Sequence, residues 1–561
     1  MKKWNILTMD IQSIDTIQST LLKNRGIFLE KDIADFLYPK LESVSLEGVG
    51  IDIKQMKKAI DRIKIAIEQK DQVIVFGDYD VDGICGAAII WESLYKLGVN
   101  ILPYIPHRLE EGYGLSINGI KKLQEKYKKI DLIITVDNGI VAYKAVQFAK
   151  EQGIDVIITD HHVAHSEISE EEMPAYAIIH STKLCGASVG WIFSQEAIFS
   201  LGKKENSYNK TFHLELVALA TVADLVPLTG LNRVLLKFGL EYLCKTKRLG
   251  LISLYREAMI NPSKIGVYEI GHLIAPRINA MGRMESAMES LRLLCTVDKK
   301  RADDLTQILC QTNKDRQLLT QELWLNAKEK MKTHSGKKLI FIYDKSYQPG
   351  VIGLVAGKLV EEFYRPAIVL AVGDDFSKAS ARSVAGFNII EFIRTASELL
   401  VDAGGHPMAA GFTVETSKLA KLQAILENSA ENKLTEDLLM RTIKVDCEIY
   451  FSSITKNFYK QIMTLAPFGM GNPEPSFVSR DIIIDNMRLI GKEGKHLKLT
   501  LSQIDIKNSA KTIIEAIAFG FGEISKEFKI GDTVDIAYAI SENTWNGIDK
   551  LQIKLKDIKI K

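Results

Sequence analysis

The sequence contains few cysteines and no long apolar run, and these absences exclude several classes of protein. Its six cysteines are scattered through 561 residues without a C-x-x-C pair, which argues against structural zinc and against a disulfide framework. No apolar run approaches the roughly 18 residues of a membrane span. The first ten residues, MKKWNILTMD, lack the apolar core of a signal peptide. We therefore expect a cytoplasmic protein without membrane contact.

The sequence also lacks a strong charge of either sign. Its formal net charge is +2, so no overall positive field attracts nucleic acid. A nucleic-acid-binding protein of this charge needs a local basic groove instead. Hydrophobic residues make up 46% and charged residues 25% of the chain, which is ordinary for a globular protein. At about 150 residues per domain, the length predicts three or four domains.

Short apolar strands alternate with helices from residue 71 onward, which indicates a parallel sheet. A long charged helix without Gly or Pro follows a mostly helical stretch, and a second α/β unit comes after it. The last part has short alternating strands, which are typical of a small β-barrel. The fold class is therefore α/β multidomain. Its predicted parts are an N-terminal helical segment (1–70), a parallel-sheet domain with a helical part (71–297), an interdomain helix (298–336), a smaller α/β domain (337–435) and a C-terminal β-barrel (436–561).

Three aspartates stand at alternate positions directly after the first strand of the predicted sheet: Asp78, Asp80 and Asp82. In an extended chain, alternate side chains lie on the same side. Neighbouring like charges repel each other, and their ionised forms are costly unless a cation is present. A lone D-x-D is more often a solvated acidic turn with a helix cap, so this cluster needs support from the rest of the sequence.

Two further strands of the same predicted sheet also end at an aspartate. Asp137 and Asp160 each follow an apolar strand, and His161 and His162 come directly after Asp160. The carboxyl ends of parallel strands meet at one edge of an open sheet, where such sheets bind ligands. A lone Asp there is usually a helix N-cap, but caps alone do not explain three such strand ends. Asp224 is a fourth acid after an apolar run, although by itself it is typical of a cap or a loop.

Carboxylates with one or two imidazoles and no thiolate suit Mn²⁺ or Mg²⁺ better than structural Zn²⁺. Five or more such ligands are enough for two ions. Two ions about 3.5–4 Å apart clamp the attacking and leaving oxygens of a phosphoryl displacement, and they lower the pKa of a bridging water. The residues alone therefore predict a two-metal phosphoesterase, and they leave the choice between Mn²⁺ and Mg²⁺ open.

Nine segments, taken together, resemble the RecJ family of single-stranded-DNA-specific exonucleases, within the DHH phosphoesterase superfamily. They occur in family order from about residue 73 to residue 477, and the last 80 or so residues are supported mainly by position and β-pattern. The segments are VFGDYDVDGICGAAI, YIPHRLEEGYGL, TVDNGI, TDHH, ALATVADLVPL, APRINAMGRM, GVIGLVAGKLVEEFYRPAIVL, GGHPMAAGF and LAPFGMGNPEPSF.

The resemblance implies a role for each residue of the acidic cluster. Asp137 would bridge the two ions, Asp160 would orient the histidine pair, and His162 would assist the reaction beside the phosphoryl group. His165 is interpreted as a loop residue. The implied metal ligands are Asp78, Asp80, Asp82, Asp137, His161 and Asp224.

The second α/β unit resembles the DHHA1 domain, which implies that it binds substrate. Its implied phosphate pocket combines a guanidinium, a hydroxyl and close backbone approach at glycine, although S-x-R-S alone is typical of a surface loop. Tyr113 is predicted to stack on a base, but it fits a core tyrosine equally well. The implied substrate-binding residues are Arg108, Tyr113, Arg277, Arg283, Ser380, Arg382, Gly405 and His406.

One position departs from the family pattern, in which a histidine commonly precedes the G-V-I-G segment. Gln348 stands there, and a glutamine can neither titrate nor carry charge, so the effect of this change on substrate binding is left open. The last domain would be an OB-fold that holds single strands. Four residues on a predicted hairpin fit that role, although a solvated face explains each one alone: Lys492, Lys495, His496 and Lys498.

The function implied is a single-stranded-DNA-specific exonuclease that degrades 5′→3′ to nucleoside 5′-monophosphates in DNA repair and recombination. The expected partners are single-stranded DNA with a 5′ end, a single-strand-binding protein and a DNA helicase, and the expected state is a monomer. Two alternatives stay open at this point. One is a DHH-family oligoribonucleotide or small-nucleotide phosphatase, and the other is a non-catalytic replication scaffold.

Overall fold

The structure is a computed structural model in which all three predicted kinds of domain are present. It describes residues 2–11, 14–108, 110–164, 172–202, 211–332, 336–504, 510–545 and 548–561, so His165 lies outside the described residues. Among the residues that it describes, no helix combines the length and the apolar character needed to cross a membrane.

The N-terminal segment is not helical throughout, which corrects the expectation for residues 1–70. It begins with strand β1, whose Lys3 pairs in parallel with Thr442. Local patterning could not reveal this strand, because its partner lies at the other end of the chain. The rest of the described segment contains four α-helices, as the helical expectation required. The elements are β1 (Lys3–Ile11), α1 (Ile14–Asn24), α2 (Glu30–Leu37), α3 (Leu46–Val49) and α4 (Ile53–Gln69).

A parallel sheet of five strands forms the first domain, as the alternation of strands and helices predicted. The strands are β2 (Val73–Phe76), β3 (Ile101–Tyr104), β4 (Leu132–Val136), β5 (Asp155–Asp160) and β6 (Ala177–His180). Their order is β3-β2-β4-β5-β6, and all neighbours are parallel. Helices cover both faces, which is why these strands read as continuous apolar runs.

Nine helices of the described chain complete this domain. α4, α5 and α8 share one buried apolar core with the sheet, and α6 and α7 pack into a second core on its other side. The later helices continue the first core. The helices after α4 are α5 (Val81–Lys96), α6 (Ile117–Lys126), α7 (Tyr143–Glu151), α8 (Gly186–Leu201), α9 (Leu214–Ala223), α10 (Gly230–Cys244), α11 (Leu249–Glu257), α12 (Ala275–Met284) and α13 (Met288–Cys295).

One long helix, α14 (Lys299–Met331), connects the first domain to the second α/β domain. Its first half buries Leu305 and Leu309 in the core of the first domain, and its second half buries Leu323 and Ala327 against the second domain. The second domain has a mixed sheet in the order β10-β11-β9-β8-β7. Its elements are β7 (Ile340–Asp344), α15 (Ile352–Phe363), β8 (Ala367–Ala371), β9 (Phe376–Arg382), α16 (Ile389–Arg394), β10 (Leu400–His406), β11 (Ala409–Glu415) and α17 (Leu419–Lys433).

The C-terminal region forms a closed barrel of five strands, as predicted. The barrel order is β13-β14-β15-β17-β16, and pairing between β13 and β16 closes it. β12 and β1 extend the sheet beyond β13, and α1 and α2 pack onto the barrel core through Ile17, Leu21 and Phe36. The elements are β12 (Thr442–Glu448), α18 (Lys456–Met463), β13 (Phe477–Ile490), β14 (His496–Ile504), β15 (Lys511–Ala518), β16 (Thr533–Trp545) and β17 (Ile548–Ile560).

Candidate metal centre and substrate cleft

The acidic loop after β2 is a tight connection into helix α5. Asp80 is the N-cap of α5, and its carboxylate accepts hydrogen bonds from the backbone N–H groups of Asp82 (2.8 Å) and Gly83 (3.2 Å). A Cβ at Gly83 would lie 2.4 Å from the backbone nitrogen of Asp78, so only glycine allows this turn. Asp78 and Asp80 therefore stay together at the carboxyl end of the sheet.

Asp82 also has a structural role that the sequence did not indicate. Its two carboxylate oxygens accept hydrogen bonds from the backbone N–H groups of Gly186 (2.6 Å) and Ala187 (2.7 Å). These groups begin helix α8, where unpaired N–H groups and the helix dipole stabilise an anion. Asp82 thus ties α5 to α8 beneath the acidic cluster, and its role as a metal ligand stays a prediction.

The structure brings all six predicted ligands together in three overlapping groups, each with ligand atoms within 4.8 Å of one another. Asp137 belongs to two of these groups, which fits a bridging position. His161 Nε2 lies 3.1 Å from Asp137 Oδ1 and 3.7 Å from both Asp82 Oδ2 and Asp224 Oδ2. The groups are Asp78, Asp80 and Asp137; Asp82, His161 and Asp224; and Asp137, His161 and His162.

The electrostatics of this cluster fit a bound cation. Burial raises the pKa of Asp78 and Asp137, and the charges of neighbouring aspartates raise them further. Burial, then repulsion from Asp82 and Asp80, raises the pKa of Asp224 to about 9. Among the described residues, Asp78 Oδ1, Asp137 Oδ1 and His161 Nε2 are buried without a hydrogen-bond partner. Unpaired buried acceptors beside one imidazole are what divalent ions require of a site.

The two histidines are held in different environments. Burial lowers the pKa of His161, which favours the neutral imidazole, the form that binds a metal. Burial alone would also lower the pKa of His162, but the hydrogen bond to Asp160 and its charge raise it. Asp160 Oδ1 lies 2.8 Å from His162 Nδ1, and His162 Nε2 lies 3.0 Å from the Tyr113 hydroxyl. The buried Asp160 therefore fixes the ring of His162.

A cleft of about 490 Å³ runs from the acidic loop to the second domain. Asp78 and Asp80 line one end, and Ser380 and Arg382 line the other. Helix α15 points its N-terminus into this second end. A Cβ at Gly353 would lie 2.9 Å from Ser380 Oγ and 3.0 Å from Arg382 Nη2. The positive end of the helix dipole, a hydroxyl and a guanidinium together make an anion pocket.

Arginines line the middle of the cleft. Arg108 lies over the ring of Tyr79 at 4.9 Å, and Arg283 Nη1 donates to the backbone oxygen of Gly350 at 3.2 Å. Burial, then repulsion from Arg108, lowers the pKa of Arg283 to about 10, and the same two causes lower the pKa of Arg382. Crowded guanidiniums repel each other unless an anion lies between them, so the cleft favours phosphate groups.

Two predicted substrate residues do not line this cleft. His406 is exposed at the end of β10, and its neighbour Gly405 lines the cleft instead. Arg277 donates from Nη1 to the backbone oxygen of Leu273 at 2.6 Å and lies beside Cys310 of α14. Gln348, at the departure from the family pattern, is exposed, and its backbone oxygen accepts from Val351 N–H.

Sequence reasoning missed three residues that the structure places at or beside the cleft. Asn279 Oδ1 accepts from the backbone N–H of Val81 at 2.9 Å and so fixes the acidic loop. Tyr79 lines the cleft, and Arg316 of α14 repels Arg283. Asn279 lies within the quoted segment APRINAMGRM, so the resemblance already pointed to it. Arg316 carried no signal, because α14 has many charged residues.

The fold and the site define a phosphoesterase of the DHH class. The profile described as DHH family, N-terminal domain, matches residues 72–221. The DHHA1 domain profile matches residues 336–432, and the RecJ OB domain profile matches residues 445–557. All three domains of the architecture are therefore matched in order.

Whole-chain relatives identify the family. The single-stranded-DNA-specific exonuclease RecJ of Bacillus subtilis strain 168 is 34% identical over 564 residues, which cover 97% of this chain and 68% of the relative. RecJ of Thermus thermophilus is 30% identical, with 91% and 72% covered. The chain belongs to the RecJ family of single-stranded-DNA-specific exonucleases.

Solved structures agree with this assignment. The crystal structure of Thermus thermophilus RecJ in complex with Mn²⁺ has a TM-score of 0.81 and 27% identity, and the match covers 99% of this chain and 79% of that one. The structure of the same protein in complex with Mg²⁺ has a TM-score of 0.73 and 26% identity, with 99% and 78% covered.

Proposed function

We propose that this chain degrades single-stranded DNA from the 5′ end and releases nucleoside 5′-monophosphates, with two Mn²⁺ or Mg²⁺ ions as cofactors. One observation carries the proposal: Asp78 and Asp80 of the carboxylate and histidine cluster line one end of a single cleft, and Ser380 and Arg382 line the other. A 5′-phosphate in that pocket would place a following phosphodiester over the metal centre. The names of the relatives and the ions in their crystal structures support the same activity.

The residues divide naturally between two ions. Asp78, Asp80 and Asp137 would hold one ion. Asp82, His161 and Asp224 would hold the other, with Asp137 shared between the two ions. When bound, the pair would supply a hydroxide near neutral pH and stabilise the charge on the phosphoryl oxygens. Asp82, whose two oxygens also accept hydrogen bonds from the start of α8, would in addition fix the position of α5.

His162 is the candidate for proton transfer beside the scissile bond. Asp160 accepts a hydrogen bond from Nδ1, so the Nε2 atom faces the hydroxyl of Tyr113, which lines the cleft. There it would orient the phosphoryl group and assist the leaving oxygen. Tyr113 would then act through its hydroxyl as well as its ring.

The directionality of the proposed reaction follows from the anion pocket. Ser380, Arg382 and the N-terminus of α15 would hold the 5′-phosphate, and Arg108 and Arg283 would contact the phosphates between the two ends. His406 is exposed, so we propose that Gly405 forms the pocket wall. Contacts to phosphate groups carry no sequence information, which suits an enzyme that accepts any sequence.

The barrel would hold the strand beyond the cleft, with Lys492, Lys495, His496 and Lys498 as candidate contacts. His496 stacks edge-on against the exposed Phe519 at 5.4 Å, which forms an aromatic surface of the kind that binds single strands. A single-strand-binding protein and a helicase as partners, a monomeric state and a cytoplasmic location remain proposals of the same hypothesis.

The test is a time course on single strands labelled at the 5′ or the 3′ end, in Mn²⁺ and in Mg²⁺. We expect the 5′ label to appear first as a mononucleotide. Arg382→Ala should reduce the preference for a 5′-phosphate at least tenfold, whereas Arg394→Ala, an exposed surface arginine paired with Glu391, should not. A protein that leaves a 5′-ended strand intact while it cleaves dinucleotides would contradict the proposal.

A further inference from the structure

A turn from the C-terminal region packs directly against the segment that carries Asp224. This clamp turn consists of residues 469–472, and it closes with hydrogen bonds between Gly469 and Asn472 in both directions, at 2.8 and 3.2 Å. The segment that it contacts follows α9, whose C-cap is Asp224. The two stretches are more than 240 residues apart in the sequence, so nothing local dictates their contact.

Three contacts join the clamp turn to the residues after Asp224. The backbone N–H of Leu228 donates to the backbone oxygen of Met470 at 2.7 Å. A Cβ at Gly471 would lie 2.9 Å from Pro227 Cβ, and a Cβ at Gly469 would lie 2.6 Å from Leu228 Cδ1. Gly471 is therefore required by a close fit to Pro227 and by its φ of +72°. At Gly469 the nearest atom is the end of the Leu228 side chain, which can shift.

The clamp turn is itself held rigidly. The fully buried Asn472 donates from Nδ2 to the backbone oxygens of Leu465 (2.8 Å) and Pro467 (2.9 Å), and its Oδ1 accepts from Arg25 Nε (2.8 Å). The buried Arg233 of α10 donates to the backbone oxygens of Leu465 and Ala466, at 2.9 and 2.8 Å. The Asp224 segment is thus fixed to the C-terminal region at two points, the clamp turn and α10.

The connection from the clamp to Asp224 is short. Three residues, 225–227, lie between Asp224 and Leu228, so the Cα atoms of Asp224 and Leu228 are at most about 14 Å apart. Leu225 is the first of them and has a φ of +60°, a conformation that a non-glycine residue keeps only when its surroundings enforce it. A displacement at Pro227 or Leu228 therefore reaches the Asp224 carboxylate.

We propose that the clamp turn positions Asp224 for metal binding, so that the C-terminal region completes one of the two metal sites in addition to holding DNA. The inference rests on the proposed function, because it takes Asp224 as a ligand. Asp224 groups with His161, whereas Asp78 and Asp80 group with Asp137. Loosening the clamp should therefore weaken one site and spare the other.

The test measures Mn²⁺ binding to the intact protein without DNA, by titration calorimetry and by the electron paramagnetic resonance signal of free Mn²⁺. Gly471→Ala should weaken one of two sites by about tenfold or more, as is usual when a residue that orients a ligand changes. Gly531→Ala is the matched control, because Gly531 has a φ of +96° but nothing within 4 Å of its added Cβ, and it should bind both ions as the wild type does.

Two reference variants separate the possible failures. Asp224→Asn should weaken the same site as Gly471→Ala, and Asp78→Asn should weaken the other. If Asp224→Asn lowers affinity while Gly471→Ala does not, the clamp is refuted and the proposed function stands. If Asp224→Asn binds both ions normally, the ligand assignment fails, and the inference fails with it. If Gly471→Ala does not fold, Gly469→Ala takes its place. Equal weakening of both Mn²⁺ sites in the Gly469→Ala variant would overturn the proposal.

Discussion

Asp224 shows how a single side chain links metal binding, pH and stability. Its pKa is raised to about 9 by burial first and by Asp82 and Asp80 next, so the metal-free protein holds a proton there that the unfolded chain has released. A raised carboxyl pKa contributes stability that is present below pH 3.8 and is lost as the pH rises toward 9. Metal binding displaces this proton, so affinity for Mn²⁺ should increase with pH.

Asp224→Asn should remove this pH dependence from the metal-free protein. The unfolding midpoint of the wild type should fall relative to that of the variant between about pH 5 and pH 8, because only the wild type has the Asp224 carboxyl, whose pKa is raised. With saturating Mn²⁺, the unfolding midpoints of the wild type and the variant should change with pH in the same way, or the difference between them should reverse. Thermal unfolding in chelator and in Mn²⁺ at several pH values measures both effects, and parallel slopes without metal would contradict the argument.

Asp80 combines a cap with a proposed ligand, and two substitutions separate these roles. Asparagine keeps a side-chain acceptor for the backbone N–H groups of Asp82 and Gly83, whereas alanine removes it. Asp80→Ala should therefore be less stable than Asp80→Asn by about 1 kcal/mol, the usual contribution of an N-cap. Both variants should lose hydrolysis and keep DNA binding. Denaturant unfolding and a nuclease assay test this, and an active Asp80→Asn would remove Asp80 from the metal site.

The sequence correctly indicated which site residues lie together where their positions follow from the ends of parallel strands. Parallel strands bring their carboxyl ends to one edge of the sheet, so Asp78, Asp137 and Asp160 lie close together. The sequence failed where position depends on packing between domains. His406 lies on an exposed hairpin and Arg277 faces α14, and neither orientation follows from a motif.

Helix α14 fixes the distance between the metal end and the anion pocket of the cleft. It has 33 residues, and its two halves pack on different domains. Leu318, near its middle, is 70% exposed, so its side chain adds little to either core. The continuous helix backbone at this point keeps the metal end and the anion pocket of the cleft at a fixed distance from each other.

Leu318→Pro should break that continuity at a cost of about 3 kcal/mol or more to the helix, whereas Leu318→Ala should be nearly neutral. We expect the proline variant to bind Mn²⁺ normally but to degrade 5′-phosphorylated strands at least tenfold more slowly. Calorimetry and single-turnover kinetics measure the two properties. A proline variant with the wild-type rate would show that the fixed spacing is not needed.

The sequence predicted most helices and strands of the α/β domains, because their apolar periodicity is local. α14 was recognised for the same reason, since 33 residues without Gly or Pro leave few alternatives. β1 and the β9–β11 antiparallel strands were not predicted. β1 has a distant partner, and the glycines at 404, 405 and 411 give the β10–β11 hairpin little strand character.

The N-terminal segment and the C-terminal region pack together and form one folded unit. β1 pairs with β12, α1 and α2 bury Ile17 and Phe36 in the barrel core, and Arg25 binds Asp446 through Nη1 at 3.2 Å. The barrel therefore includes residues from both ends of the chain, which no division by sequence order predicts. Removing the C-terminal region alone leaves β1 and α1 without their partners and leaves α2 with its contacts to α10.

A fragment of residues 1–435 should consequently lose the segment before residue 39 to limited proteolysis, whereas the intact protein should resist cleavage there. A fragment of residues 39–435 should resist proteolysis better, because it lacks the barrel and also the N-terminal elements that pack on the barrel. Exposed apolar side chains such as Ile17 and Phe36 explain the difference, since each loses roughly 1.5–3 kcal/mol of burial. Mass spectrometry of the digests measures the cleavage sites. Protection of residues 3–37 in the 1–435 fragment would mean that this segment folds on the first domain, and the packing of the two ends would then not be what keeps them ordered.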